Sequence, residues 1–298
     1  MKSIIIFGGS GYVGKNLIRS FAKKSYKIIV PYQTQINEAN LRLLGSIGQI
    51  IPFHFTSLKN PKLISILNSS EVCINLKTSW ESKESLLKES IFKFNSELIE
   101  IIKGSSSNKK FIFFSGLGAE EGLTLRNKII SKTEKLITKE LESSIIIRPS
   151  VILGNGDQFL SSLLPLFKMS FFIPLFGDGS KKFQPVLIED VVKFISIIIE
   201  EQNTNERLFE LGGPEVFTYK EFYIQIADFM NKKRVLAPFP MPIIKLIVRI
   251  AEKTPFSPIN LEQLSLFKSD NVLKNKISGF DFFKIIPKKT ISAIKKSI

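Results

Sequence analysis

Seven consecutive residues, Gly8-Gly9-Ser10-Gly11-Tyr12-Val13-Gly14, carry the sharpest chemical signal in this 298-residue chain. Gly8, Gly11 and Gly14 fall at the spacing G-x-x-G-x-x-G. Glycines so placed can cradle a pyrophosphate. The first permits a tight turn, the second lets backbone N–H groups approach phosphate oxygens, and the third lets a helix pack closely on a strand. Ser10, Tyr12 and Val13 lie inside the same turn and share its contact with the ligand. A helix starting here would aim free N–H groups and its positive end at the phosphates.

Such a turn works only between a strand and a helix. The flanking residues supply both. Ile4-Ile5-Ile6-Phe7 is the continuous apolar run of a buried parallel strand. Val13, Leu17, Ile18 and Phe21 then recur at helical intervals. A second strand, Tyr26 to Tyr32, should end beside the adenosine ribose. An acidic residue there would favour NAD, and an arginine the 2′-phosphate of NADP. The chain offers Gln33, Thr34 and Gln35, none charged. Gln33 can hydrogen-bond either ribose form, so the expected cofactor is NADH or NADPH without a choice between them.

Further along, strands alternate with helices. Gln49 to Phe55, Glu71 to Leu76, Lys110 to Phe114 and Ile145 to Pro149 read as strands. Leu41 to Leu44, Leu86 to Ile102 and Arg126 to Leu141 read as helices, with a turn at Ser105-Ser106-Ser107-Asn108. The alternation predicts an α/β fold, a Rossmann-type doubly wound parallel sheet with helices on both faces. Residues 1–150 form the dinucleotide-binding domain. Residues 151–298 form a small C-terminal lobe over the crevice, completing the same fold and offering a segment to a partner or membrane. In that lobe Gly154 to Asp157 and Ile173 to Gly179 read as loops and Phe183 to Ile188 as a short strand. Glu189-Asp190 caps a helix through Ile199, Leu208 to Gly212 is strand-like, and Tyr219 to Met230 is helical. Pro238-Phe239-Pro240-Met241-Pro242 reads as a stiff turn. The apolar helix Ile243 to Ala251 follows, with Lys245 and Arg249 on one face, and suits packing on its own domain or docking on a membrane interface or partner subunit.

Composition narrows the function classes. Hydrophobic residues make up 44% and charged residues 23%, as in an ordinary globular protein. The single cysteine, Cys73, excludes an internal disulfide and suits a reducing compartment. The single histidine, His54, has no companions with metal-ligand spacing, so no metal site is expected. No signal peptide is visible, and no apolar run reaches the ~18 residues of a membrane span. The net charge of +15 has no aromatic-interleaved basic cluster behind it, which argues against nucleic acid and leaves an anionic membrane or an acidic partner.

Three stretches together resemble the extended and atypical short-chain dehydrogenase/reductases: the glycine motif, Arg148-Pro149-Ser150, and Pro185-Val186-Leu187-Ile188-Glu189-Asp190-Val191. Other stretches are similar to one subgroup, the Rossmann-fold accessory subunit of respiratory complex I (NADH:ubiquinone oxidoreductase) with its α-proteobacterial relatives. These are Leu41-Arg42 leading into Gly48-Gln49, Ile74-Asn75-Leu76 with Trp80-Glu81-Ser82-Lys83, Arg126-Asn127-Lys128, Phe159-Leu160 and the proline turn. The resemblance implies a bound NADPH that is held rather than turned over, with Leu76 and Lys128 beside it. It implies complex I subunits near the quinone site as partners, and a peripheral place on the cytoplasmic face of the inner membrane. In relatives an arginine often closes the second strand, where this chain has Gln33.

Catalytic members of the superfamily place a Tyr and a Lys four apart on a helix, with a Ser at the end of the fifth strand to orient the substrate oxygen. Ser115 and Lys128 match two of these positions, and Thr124 stands at the third. A threonine hydroxyl has no pKa near neutrality and is too short to reach where a phenol would. No tyrosine lies between Tyr32 and Tyr219. The expectation is therefore a non-catalytic subunit or assembly factor. The alternative is an epimerase, dehydratase or reductase using another proton donor, such as Asp157 or Asp178. A nucleotide-sensing regulator on the same fold is a third reading.

Overall fold

A computed structural model describes residues 2–81, 83–105, 109–201, 204–252, 261–274, 278–291 and 294. Ser82 and 106–108, read above as part of a motif and a turn, lie outside the described residues. Seven parallel strands form the central sheet: β1 (Ser3–Phe7), β2 (Lys27–Tyr32), β3 (Ile50–His54), β4 (Val72–Asn75), β5 (Lys110–Phe114), β6 (Ser144–Pro149) and β7 (Leu208–Leu211). Their order is β7-β6-β5-β4-β1-β2-β3. The direction of winding reverses between β1 and β4, the switch point at which open α/β sheets bind ligands.

Each strand is apolar on both faces because helices cover both. Ile4 and Ile6 of β1 point to one side, where they join Leu17, Ile18 and Phe194. Ile5 and Phe7 point to the other, where they join Leu98, Phe111 and Ile130. On the first side lie α1 (Tyr12–Lys23) and α3 (Ile188–Glu200). On the second lies α2 (Leu125–Glu140). The predicted helix from Leu86 to Ile102 is continuous over Glu84–Lys103 but widens to a π-type turn over Lys88–Lys93. There the Asn95 amide reaches back to the Ile91 carbonyl at 2.7 Å.

Residues 151–298 contribute to two bodies. β7 and α3 return to the main sheet, while a separate apolar cluster gathers Leu160, Phe167, Phe183, Phe222 and Tyr223. Three expectations for this half are corrected. The stretch from Ile173 is strand rather than loop: Phe172–Phe176 pairs in parallel with Val235–Phe239, so Pro238 sits within a strand. The proline turn accordingly shortens to the entry of α4 (Met241–Ala251). Finally, Glu189 and Asp190 occupy the first turn of α3 and do not cap it. Leu187 is the cap residue, and the buried Asp190 carboxylate accepts from the Lys288 backbone N–H at 2.8 Å. An unassigned stretch, Gln158–Met169, is helical despite Pro165. Among the described residues no helix is long and apolar enough to cross a membrane.

Candidate functional site

The glycine turn sits at the switch point, and two of its glycines leave no room for a side chain. Gly8 has φ +76°, a left-handed value that suits glycine. A Cβ on Gly14 would come 2.5 Å from the Gly9 Cα, and one on Gly9 would come 2.7 Å from Val30 of β2. Gly14 and Gly9 therefore exist for contact between helix and strand. Gly11 is exposed and closes the turn by donating its N–H to the Gly8 carbonyl at 3.1 Å. It is also the cap residue of α1 and has no side chain to offer. The first N–H groups of that helix, on Tyr12 and Val13, precede its first internal bond, Lys15 N–H to the Gly11 carbonyl. That is the geometry of a phosphate seat.

Two side walls complete the crevice. On the β4 side, a Cβ on Gly8 would meet Leu76 at 3.2 Å and the Lys77 nitrogen at 3.3 Å. Leu76 therefore lies directly against the turn. On the lobe side, the buried Tyr12 hydroxyl has no hydrogen-bond partner among the described residues and lies where a Cβ on Gly154 would approach within 2.5 Å. Burial raises the pKa of this phenol, and Asp157 and Glu189 raise it further, so it stays protonated. Ser115, just past β5, also has a buried hydroxyl without a partner. Unsatisfied buried polar atoms cost free energy, and a ligand reaching them would recover it. The glycine cradle and these two hydroxyls therefore fit a dinucleotide lying across the switch point.

The positions that would handle a proton are arranged otherwise. Thr124 is the cap residue of α2, and its hydroxyl accepts the Asn127 N–H at 3.0 Å. Lys128, one turn on, is exposed and without a side-chain partner among the described residues. The two aspartates are local braces. Asp157 accepts from the Gly154 and Leu160 N–H groups at 2.8 and 2.7 Å, and burial raises its pKa. Asp178 is exposed and bonds Ser180, which holds its pKa low. The His54 ring lies tilted against Tyr32, at 5.3 Å between ring centroids. No group of three or more metal-ligating side chains occurs among the described residues.

Residue types alone did not single out two features of the site. Arg126, a buried residue, lays its guanidinium 3.8 Å from the Trp80 ring centroid and donates to the Ser79 carbonyl at 2.8 Å. Burial lowers its pKa to about 10. This stack pins the loop after β4 to the start of α2. Arg148, at the end of β6, is gripped by Glu134 at 2.6 and 3.0 Å and by Glu120 at 2.8 Å, with Glu210 at 3.6 Å. Glu120 also meets Lys274, so the cluster ties β6, β7, α2 and residues near 274 together.

No protein-family model matches the chain. Among curated proteins it is 26% identical over 297 residues to NADH dehydrogenase [ubiquinone] 1 alpha subcomplex subunit 9, mitochondrial, of Arabidopsis thaliana, covering 95% of this chain and 74% of that protein. It is 22% identical to the NADH-ubiquinone oxidoreductase 40 kDa subunit of Neurospora crassa, covering 85% of this chain and 67% of that one. Among solved structures, UDP-glucuronic acid 4-epimerase from Bacillus cereus, in complex with UDP-glucuronic acid and NAD, superposes with a TM-score of 0.74 at 15% identity, over 99% of this chain and 97% of the other. A dTDP-glucose 4,6-dehydratase from Bacillus anthracis in complex with NAD gives 0.71 at 17%, over 100% and 95%. The structures establish the fold alone, a Rossmann-type α/β fold. The curated relatives bear out the resemblance to the complex I accessory subunit along nearly the whole chain.

Proposed function

We propose that this chain is an accessory subunit, or an assembly and stability factor, of respiratory complex I that holds NADH or NADPH without turning it over. The observation that carries the reading is the contrast at Thr124. The glycine cradle is intact, while the hydroxyl at the proton-transfer position is spent capping a helix. In the bound state the nucleotide would supply a nicotinamide ring. Here Gly8, Ser10, Gly11, Tyr12, Val13 and Gly14 seat the phosphates, Gln33 and Leu76 line the adenosine side, and Lys128 reaches toward the other ribose. Binding to the folded state alone would stabilise it by mass action. The complex I relatives and the NAD-bound structural neighbours support this reading.

The docking side of the proposal rests on α4. Ile244 and Val248 are buried in the lobe, yet Ile243, Leu246, Ile247 and Ile250 stay 49–60% exposed. Lys245 lies on the same helix close enough to Lys268 to help depress its pKa, after burial. An apolar face beside crowded lysines suits an acidic or lipid-lined surface. We place it against the complex near the quinone-binding region, peripheral on the cytoplasmic face of the inner membrane. Gently solubilised membranes run on a native gel test this. Co-migration with NADH:quinone oxidoreductase is the expected result, and recovery in the soluble fraction alone would remove the subunit reading. The enzyme reading is favoured by one observation, the unpartnered Ser115 hydroxyl. Hydride turnover on a sugar-nucleotide panel, lost in Lys128→Ala, would establish it instead.

A further inference from the structure

The outer face of α2 carries a stripe of cations. Lys132, Lys135 and Lys139 recur at helical intervals and are all exposed, while Thr133, Glu134 and Ile137 between them are buried. None of the three makes an ion pair among the described residues. Like charges at this spacing repel one another along a helix. The nearby carboxylates are already matched. Glu140, at the end of α2, meets Lys103 at 2.6 Å. On the neighbouring helix over Glu84–Lys103, Glu84 and Glu89 pair with Lys88 and Lys93 at 2.6 and 2.9 Å.

Beside the stripe, a groove of about 350 Å³ opens between the two helices. Phe92 and Ile129 give it an apolar floor, and Ser85, Lys88, Lys93 and Lys132 form its rim. It coincides with the π-type turn over Lys88–Lys93. Such turns are rare within α-helices and are found disproportionately at functional sites. The Lys132 ammonium lies 4.4 Å from the centroid of the Phe92 ring, so a cation without a counter-ion overhangs the apolar floor. We propose that the groove and stripe dock an acidic, amphipathic segment of a partner protein. One apolar side chain enters between Phe92 and Ile129, and carboxylates pair with Lys132, Lys135 and Lys139. Those carboxylates replace the repulsion within the stripe by attraction across the interface. A second copy docked face to face would instead set lysine against lysine. A lipid surface would meet the lysines and leave the recessed floor uncovered. This face is separate from α4 and needs no nucleotide, so the inference goes beyond the function proposed above.

Equilibrium binding of the full chain to two short amphipathic helical peptides tests it, one with glutamate along its polar face and one with glutamine there. At low salt the glutamate peptide should bind about tenfold or more tightly. That difference should shrink as salt rises. Changing Lys132→Gln, Lys135→Gln and Lys139→Gln together should erase the difference without lowering the melting temperature, because no internal ion pair is lost. Ser85→Trp, which fills the groove and leaves every charge in place, should weaken both peptides. Equal binding of the two peptides by the parent would overturn the proposal, as would a preference that survives the triple change or binding indifferent to Ser85→Trp. Capture of phosphatidylglycerol vesicles through these lysines, without the peptides, would overturn it in favour of lipid. A dimer in sedimentation that the triple change dissociates would overturn it in favour of a second copy. Should the triple variant fail to fold, Lys135→Glu decides alone: loss of the parent's preference supports the docking face, and an unchanged preference overturns it.

Discussion

The carboxyl edge of the sheet has two ends that differ in how completely they are furnished. At the β1–β4 end Gly9 and Gly14 make contacts that leave no room for a side chain, Gly8 takes a left-handed backbone, and the helix behind them begins without a side-chain cap. At the β5–β6 end the groups that would move a proton have been given structural work. Thr124 caps α2, and behind it Arg148, which relays no proton, anchors three glutamates. A fold that keeps its phosphate seat while filling its reaction end with braces is suited to holding a nucleotide. Fold and chemistry are thus separable within one crevice.

The largest effect that would sharpen the contrast lies under the reaction end. Arg148→Ala leaves the buried Glu134 and Glu210 without their cation, and should cost about 3–5 kcal/mol in chemical denaturation. A loss below about 1 kcal/mol would mean the cluster is not structural. Next comes the cradle. Gly14→Val forces a side chain into the Gly9 backbone and should cost about 3 kcal/mol while abolishing nucleotide binding. Binding that survives this change would break the comparison, because the seat would then lie elsewhere. Saturating nucleotide is the third handle. At a hundredfold excess over its dissociation constant it should add about 2.7 kcal/mol, read as a rise in melting temperature. No shift with either NADH or NADPH would remove the cofactor. The smallest effect is Thr124→Ala, which loses a cap worth about 1 kcal/mol and should leave nucleotide affinity untouched. A change in affinity without a change in stability would mean that the threonine faces ligand after all.

Much of this was legible in the residues. Strands β1 to β6 announce themselves because a parallel strand covered on both faces must be apolar throughout. The glycine turn is legible because its spacing encodes two close backbone contacts. The lobe was harder to read. Phe172–Phe176 hides behind Pro174, which usually ends a strand but is tolerated in this two-stranded ladder, and its partner contains Pro238. The helix at Gln158 hides behind Pro165 in the same way. At the site, the contact of Lys77 with Gln33 is not legible locally, because it joins residues past the ends of β4 and β2 across the intervening β1. The stack of Arg126 on Trp80 has no such local signal, since it joins residues 46 apart in the chain.

Cys73 lies at the centre of β4, opposite Ile5 of β1 on one side and Phe111 of β5 on the other. It is fully buried, and burial pushes its thiol up to about 12. As the chain's single thiol, it is a built-in clock for the parting of the strands that flank the switch point. A thiol reagent can reach it only when those strands separate, so the labelling rate under native conditions measures how often the sheet opens. Any molecule seated on the closed edge should slow that clock by the factor it adds to stability, with no substitution introduced.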